Sequence, residues 1–255
     1  MIPTLNDLRI VELSCLILHE AQDPARLGRI REEIGEEGVQ RNPVIVAPYD
    51  NRYLVLDGAH RVLALRELGL CFALVQLVEL PERAGSWGHL LDAASVEAAM
   101  CWVGAVEVSE TLPERGCLAV ARFDDGEELF IEASEKGLVP AVRALWALRA
   151  AYPEAGVVHR VDPGRSVELA AGEAALFYRS FTPGELAEIV SAGEVLPAGI
   201  TRFVVEERVL NVRYPLTLLG GGEIAARNEE LRNLVKESWE GNRTRYYREP
   251  VVLFE

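Results

Sequence analysis

The chain has 255 residues, 49% of them hydrophobic, and sets 26 Lys and Arg against 40 Asp and Glu, a formal net charge of −14. That length and composition predict a folded protein with one large or two intimately packed domains and exclude a repeat or low-complexity chain. The acidic balance opposes contact with a phosphate backbone, so nucleic acid is not the expected partner.

The opening MIPTLNDLRIVEL carries charge and lacks a secretory pattern, and no apolar run reaches membrane-spanning length. A cytoplasmic protein without a membrane partner is expected. Cys15, Cys71, Cys101 and Cys117 are widely spaced, without a Cys-x-x-Cys pair or a His at metal spacing, and read as reduced core residues. An apolar run ends in His19-Glu20. Pro24 to Glu37 then reads as a helix closed by Gly38. Val44 to Ala47 and Tyr53 to Leu56 are β-prone runs joined by Asp50-Asn51, a hairpin turn.

From Tyr53 to Gly69 the pattern is strand, tight turn and helix. Gly58 lets the chain reverse, Val62, Leu63, Leu65 and Leu68 recur at helical spacing, and the helix begins near His60. Its first N–H groups lack intrahelical partners and its dipole is positive there, so a phosphate over Gly58, Ala59 and His60 would be bound, with Arg61 adding a charged fork. The same residues also fit a plain strand-turn-helix connection with a surface His and Arg. Trp87, in the polar loop AGSWGHL, is either a lid over a substrate or a loop anchor.

Further on, residues 90–103 are Ala-rich and read as a helix. Residues 117–134 form a hairpin around Asp124-Asp125-Gly126, and 138–152 a helix with Trp146 in the core. Residues 157–163 suggest a short strand with His159 at a surface or edge. Thr182-Pro183-Gly184-Glu185 is a capping box opening a helix that ends near Gly193 and leads into LPAGITR, 196–202. Residues 204–219 read as strands, 221–239 as an amphipathic helix with Arg227 on its solvated face, and 249–255 as a terminal strand. The sum is an α/β pattern.

The order His19-Glu20, Asp23-Pro24, helix, Glu37-Gly38, a Pro43-led apolar run, Leu56-Asp57-Gly58-x-His60-Arg61 and helix resembles the ParB/sulfiredoxin superfamily, and within it the free L-serine kinases. LPAGITR and the ending RYYREPVVLFE (245–255) resemble the same family's C-terminal half. Sulfiredoxins carry a Cys in the turn where this chain has Ala59. ParB proteins read DNA through a helix-turn-helix that is not evident here.

The resemblance implies an α/β (α+β) fold with a ParB/sulfiredoxin-like nucleotide-binding core over 1–85 and a second, intimately packed lobe over 86–255. It also implies transfer of a phosphoryl group from ATP or ADP, with Mg2+, to free L-serine, giving O-phospho-L-serine. Glu20 would be the general base that takes the hydroxyl proton; the alternative is an exposed acidic residue near a helix start, favoured there by the dipole. Asp57 would orient the hydroxyl or hold a metal through water, or else cap the helix. Arg41 and Asn42 would reach the nucleotide phosphates or simply end a loop. Thr201 and Arg202 would bind the amino-acid carboxylate or form a surface turn. Two positions depart from the family pattern: Ala59 replaces a His in the turn, and Phe203 replaces a His after Ile200-Thr201-Arg202. Both leave open a different hydroxyl-bearing acceptor or a nucleotide-binding regulator without turnover. Oligomeric state is not legible.

Overall fold

The computed structural model describes residues 3–113, 116–151, 159–163 and 167–247. Strands β1 (Leu8–Glu12) and β2 (Leu16–Ile17) precede helix α1 (Pro24–Glu37). Asp23 caps α1 by accepting from the N–H groups of Ala25 and Arg26, and Gly38 closes it in the left-handed conformation, φ 65°. After β3 (Val39–Gln40), strands β4 (Val44–Tyr49) and β5 (Arg52–Asp57) form the expected hairpin, turning at Asp50. Helix α2 (Ala59–Glu67) and strand β6 (Phe72–Leu77) complete a five-stranded sheet of order β1-β6-β4-β5-β2, parallel at β4/β6 and β2/β5.

Strand β4 explains why this sheet requires a second lobe. Val44 and Val46 pack with Val62 and Leu65 of α2, whereas Ile45 and Ala47 enter a separate cluster on the opposite face. A strand covered on both faces carries a continuous apolar run instead of an alternation. Leu54 and Leu56 of β5 join that second cluster with Phe123, Ile131, Leu145 and Leu176 from the other lobe. The mixed α/β fold with intimately packed lobes is thus present.

The other lobe contains β7 (Gly85–Ser86), β8 (Gly88–Asp92), α3 (Ala93–Trp102), β9 (Val106–Ser109), β10 (Ala119–Phe123) and β11 (Glu128–Ala133). It continues through α4 (Leu138–Ala150), β12 (His159–Val161), β13 (Glu173–Tyr178), α5 (Pro183–Ser191) and β14 (Thr201–Arg202). Six of its strands form an antiparallel sheet, β12-β8-β13-β10-β11-β9. The Thr182 capping box opens α5 as the sequence predicts, with the side chains and backbones of Thr182 and Glu185 reciprocally bonded.

Several expectations are corrected. Residues 90–92 finish β8, so the helix starts at Ala93, capped by Asp92. Between 204 and 219 the only strand is β15 (Tyr214–Pro215). Positive φ at Asn211 (57°) and Arg213 (58°) breaks any extended run there, and a side chain takes over the pairing. Gln76 donates to the Glu207 carbonyl at 2.9 Å and accepts from the Val209 N–H at 2.9 Å. From there the chain returns to the first lobe, where α6 (Ile224–Glu240) buries Leu231 and Val235 in the cluster of β1, so the packing does not follow a division at residue 85. Trp146 is 39% exposed and not core; its indole N–H reaches the Val195 carbonyl at 2.7 Å. The free cysteines are not core either, Cys71 and Cys101 being exposed and Cys15 and Cys117 half-buried. Arg227 is not on a solvated face: it bonds the Gly221 carbonyl and pairs with Glu230 at 2.9 Å. The strand expected over 249–255 lies outside the described residues, as do residues 157 and 158 of the strand expected over 157–163. No helix among the described residues is long and apolar enough to cross a membrane.

His89 of β8 is a buried polar residue, 2% exposed. Burial pushes its imidazole down to about 4 from the ordinary value of 6.5. Between those values the unfolded chain binds a proton that the folded chain refuses, so stability present above pH 6.5 is lost as pH falls toward 4. Urea unfolding at pH 5 should therefore give about 2 kcal/mol less stability than at pH 7.5 from this group alone; equal or greater stability at pH 5 would contradict it.

Candidate active site

A cleft of about 230 Å³ is lined by residues of both lobes. One wall is the start of α2. Gly58 caps the helix with φ 100°, a conformation that favours glycine, and the Arg61 guanidinium folds over it, 2.7 Å from where a Cβ would stand. Asp57 pairs with Arg208 at 2.5 Å and with Arg61 at 3.7 Å. Burial alone would raise the Asp57 carboxyl, but the two arginines outweigh it and hold the group below its usual value. With Gly58 as cap and two cations on the carboxylate, Asp57 is an ion-pair hub and not a helix cap. His60 Nε2 accepts the Asp23 N–H at 3.2 Å, so its proton sits on Nδ1. Burial first, then the neighbouring Arg26, keeps this imidazole below its ordinary value and hence neutral at pH 7.

The opposite wall is the segment 198–203. A parallel bridge joins Glu20 to Leu196, with Ala21 N–H donating to the Leu196 carbonyl and Leu196 N–H to the His19 carbonyl, both at 2.8 Å. The Glu20 carboxylate then accepts from the Gly199 N–H at 3.1 Å on Oε2, and from the N–H and hydroxyl of Thr201, both at 2.5 Å, on Oε1. A carboxylate offers about four acceptor positions, so a position on Oε2 stays open. Thr201 gives its one hydroxyl proton to this charged acceptor; its oxygen must therefore accept from His19 Nε2 at 2.9 Å, which places the His19 proton on Nε2. Burial holds this imidazole below its ordinary value. Phe203 meets the His19 ring edge-on, centroids 5.6 Å apart.

Arg202 pairs with Asp162 at 2.5 Å and lies 4.6 Å from the centre of the Trp87 ring. Trp87 thus supports a guanidinium at the cleft wall, which fits an anchor more closely than a lid. Of the residues singled out in the sequence, Glu20, Asp57, Gly58, Ala59, His60, Arg61, Trp87, Thr201 and Arg202 all line the cleft. Thr201 is turned toward Glu20, not toward open space. Arg41 and Asn42 are elsewhere: Arg41 pairs with Glu37, and Asn42 accepts the Asn211 N–H at 2.8 Å, so the returning 207–213 segment and α1 occupy them.

Arg26, Arg160 and Arg208 also line the cleft, although no local signal marked them. Five arginines thus face two carboxylates, Glu20 and Asp57, in a chain whose net charge is −14. Such an arrangement has the chemistry to hold a polyanion at the helix N-terminus and can present a carboxylate oxygen to a group beside it. Together, fold and cleft define a two-lobed α/β protein in which an arginine-lined helix N-terminus faces the Glu20 carboxylate.

No protein-family model matches the chain. It is 28% identical over 235 residues, 89% of its own length and 88% of the relative's, to the ATP-dependent L-serine kinase SbnI of Staphylococcus aureus. The structure of SbnI with a C-terminal truncation, from S. aureus, superposes with a TM-score of 0.81 at 22% identity, over 94% of this chain and 100% of that one. A free serine kinase in complex with AMP superposes with a TM-score of 0.65 at 21% identity, over 84% of this chain and 93% of the other. The chain is thus similar in sequence and fold to proteins named as L-serine kinases, the family that its motifs resemble.

Proposed function

We propose that this protein is a nucleotide-dependent kinase that transfers the terminal phosphoryl group of ATP to the hydroxyl of free L-serine, giving O-phospho-L-serine and ADP. The observation that carries the reading is the convergence, in one cleft, of a helix N-terminus covered by arginines with a carboxylate that keeps an open position. ATP is favoured over ADP as donor because the relative matched over most of this chain is named for ATP dependence.

Phosphoryl transfer requires little covalent help from a protein; it needs positioning and compensation of negative charge. The N–H groups opening α2, with His60 Nδ1–H and Arg61, would hold the phosphates. Glu20 Oε2 would accept the serine hydroxyl proton as that oxygen bonds to the terminal phosphorus and the bond from phosphorus to the bridging oxygen breaks. ADP leaves with the electron pair, and the cleft arginines balance the charge on the oxygens. Arg202, oriented by Trp87 and Asp162, would take the serine carboxylate.

A magnesium ion fits this site as one held chiefly by phosphates and water. No cluster of three or more His, Cys, Asp and Glu side chains forms a metal cage among the described residues, and Asp57 supplies a carboxylate beside the cradle. When bound, the ion neutralises phosphate charge.

Incubation with ATP and, separately, L-serine, L-threonine and L-homoserine, followed by mass detection of the phosphorylated amino acid, tests the acceptor. L-Serine is expected to give the product; turnover with another acceptor alone would shift the reading to a related kinase, the alternative that Ala59 and Phe203 raise. Arg202→Ala is expected to raise the serine KM by about tenfold or more, with little change in the KM for ATP, as loss of a charge-assisted carboxylate contact requires. An unchanged serine KM would reject the carboxylate assignment.

A further inference from the structure

We propose that His89 is a positioning residue for the transfer described above: it holds the Gly199 carbonyl and thereby aims the Gly199 N–H at Glu20. The inference rests on the reading of Glu20 as the proton acceptor. It concerns a residue outside the cleft wall and outside the motifs that pointed to the family.

The segment 199–202 is stitched rung by rung to residues 85–89. Arg202 pairs with Gly85 and Thr201 with Ser86, and the Trp87 N–H donates to the Ile200 carbonyl at 2.9 Å. At Gly199 the backbone turns into the left-handed region, φ 81°, and the Arg160 guanidinium occupies the space a Cβ would need. Glycine is therefore required there, and glycine is the residue with the least intrinsic backbone order. The Gly199 carbonyl meets the side chain of His89 in place of a backbone N–H, Nε2 to oxygen 3.0 Å.

A carbonyl only accepts, so His89 Nε2 carries the proton and Nδ1 presents its lone pair to the Tyr178 hydroxyl at 3.5 Å. The two rings meet edge-on, centroids 5.0 Å apart. Burial keeps the imidazole neutral, which preserves this tautomer. His89 lies in β8, paired on both sides by β12 and β13, so the donor is mounted on the interior of a sheet. A polar side chain at such a position costs stability unless its hydrogen bonds are made. The contact it makes leads in a single residue to Glu20 Oε2, the oxygen with the open position. The two oxygens of Glu20 are thereby set by two buried histidines, His19 through Thr201 and His89 through Gly199.

The test combines kinetics with the amide NMR resonance of Gly199. In His89→Asn the side-chain amide falls short of the carbonyl, whereas in His89→Gln it reaches the place of Nε2. His89→Asn should lower kcat about five- to tenfold, the scale of one lost hydrogen bond near the reacting atoms, with the KM for ATP within about twofold of the parent. His89→Gln should recover most of that loss. In a Glu20→Gln background His89→Asn should cost less than about twofold, because the two act through one carboxylate. The Gly199 amide proton, downfield from its bond to a carboxylate, should move upfield in Glu20→Gln and in His89→Asn but not in His89→Gln. An amide that responds to Glu20→Gln and ignores His89→Asn would overturn the proposal, as would an equal kcat loss from His89→Asn in both backgrounds. The full pattern of amide shifts without serine-dependent turnover would uphold the His89–Gly199–Glu20 linkage and refute the serine-kinase reading instead.

Discussion

Glu20→Gln is expected to lower kcat for serine phosphorylation by on the order of a hundredfold or more, the scale of lost general-base help, while ATP affinity stays near that of the parent protein. The amide keeps one oxygen, which still accepts from Thr201. Its NH2 group, however, faces the Gly199 N–H, donor against donor, and offers no acceptor to a serine hydroxyl. Base function and the hold on Gly199 are lost together, whereas the phosphate cradle at α2 is untouched because no hydrogen bond joins it to this carboxylate. Steady-state kinetics with ATP calorimetry separates the two effects. A kcat within about threefold of the parent would remove Glu20 from the chemistry.

Arg61→Ala is expected to act in the opposite manner, weakening ATP by about 10- to 100-fold, since hydrogen bonds to charged groups contribute roughly 1.5–3 kcal/mol each. Arg61 lies over Gly58 where the phosphates are proposed to sit, and its removal also takes one of the two cations from Asp57. Arg208 stays on Asp57, so the fold should survive. Arg61→Lys should recover part of the affinity, because an ammonium restores charge but not the planar fork. Calorimetric titration with ATP measures this directly, and a dissociation constant equal to the parent's would show that the cradle lies elsewhere.

The first lobe was readable because its signals are local. The helix from Pro24, Gly38, the Asp50 turn and the Gly58 reversal each depend on residues within a few positions, and each is where the sequence predicted it. Glu20 and Thr201 could be named from motifs, but not their mutual bond across 181 residues, which only the packed lobes create. Arg160 carried no signal at all, being brought in by the pairing of β12 with β8. Residues 204–213 misled because their β-branched composition suits a strand, yet Gln76 and two left-handed residues fix an irregular path that delivers Arg208 to Asp57. Arg41 and Asn42 failed for a related reason: the same returning segment occupies them.

Phosphorus NMR on the purified protein with magnesium and ATP, with and without L-serine, tests the function most directly. Growth of an O-phosphoserine resonance matched by ADP, and dependent on serine, is the expected result. ATP that stays intact in the presence of serine, or is consumed equally fast without it, would contradict serine phosphorylation in this cleft.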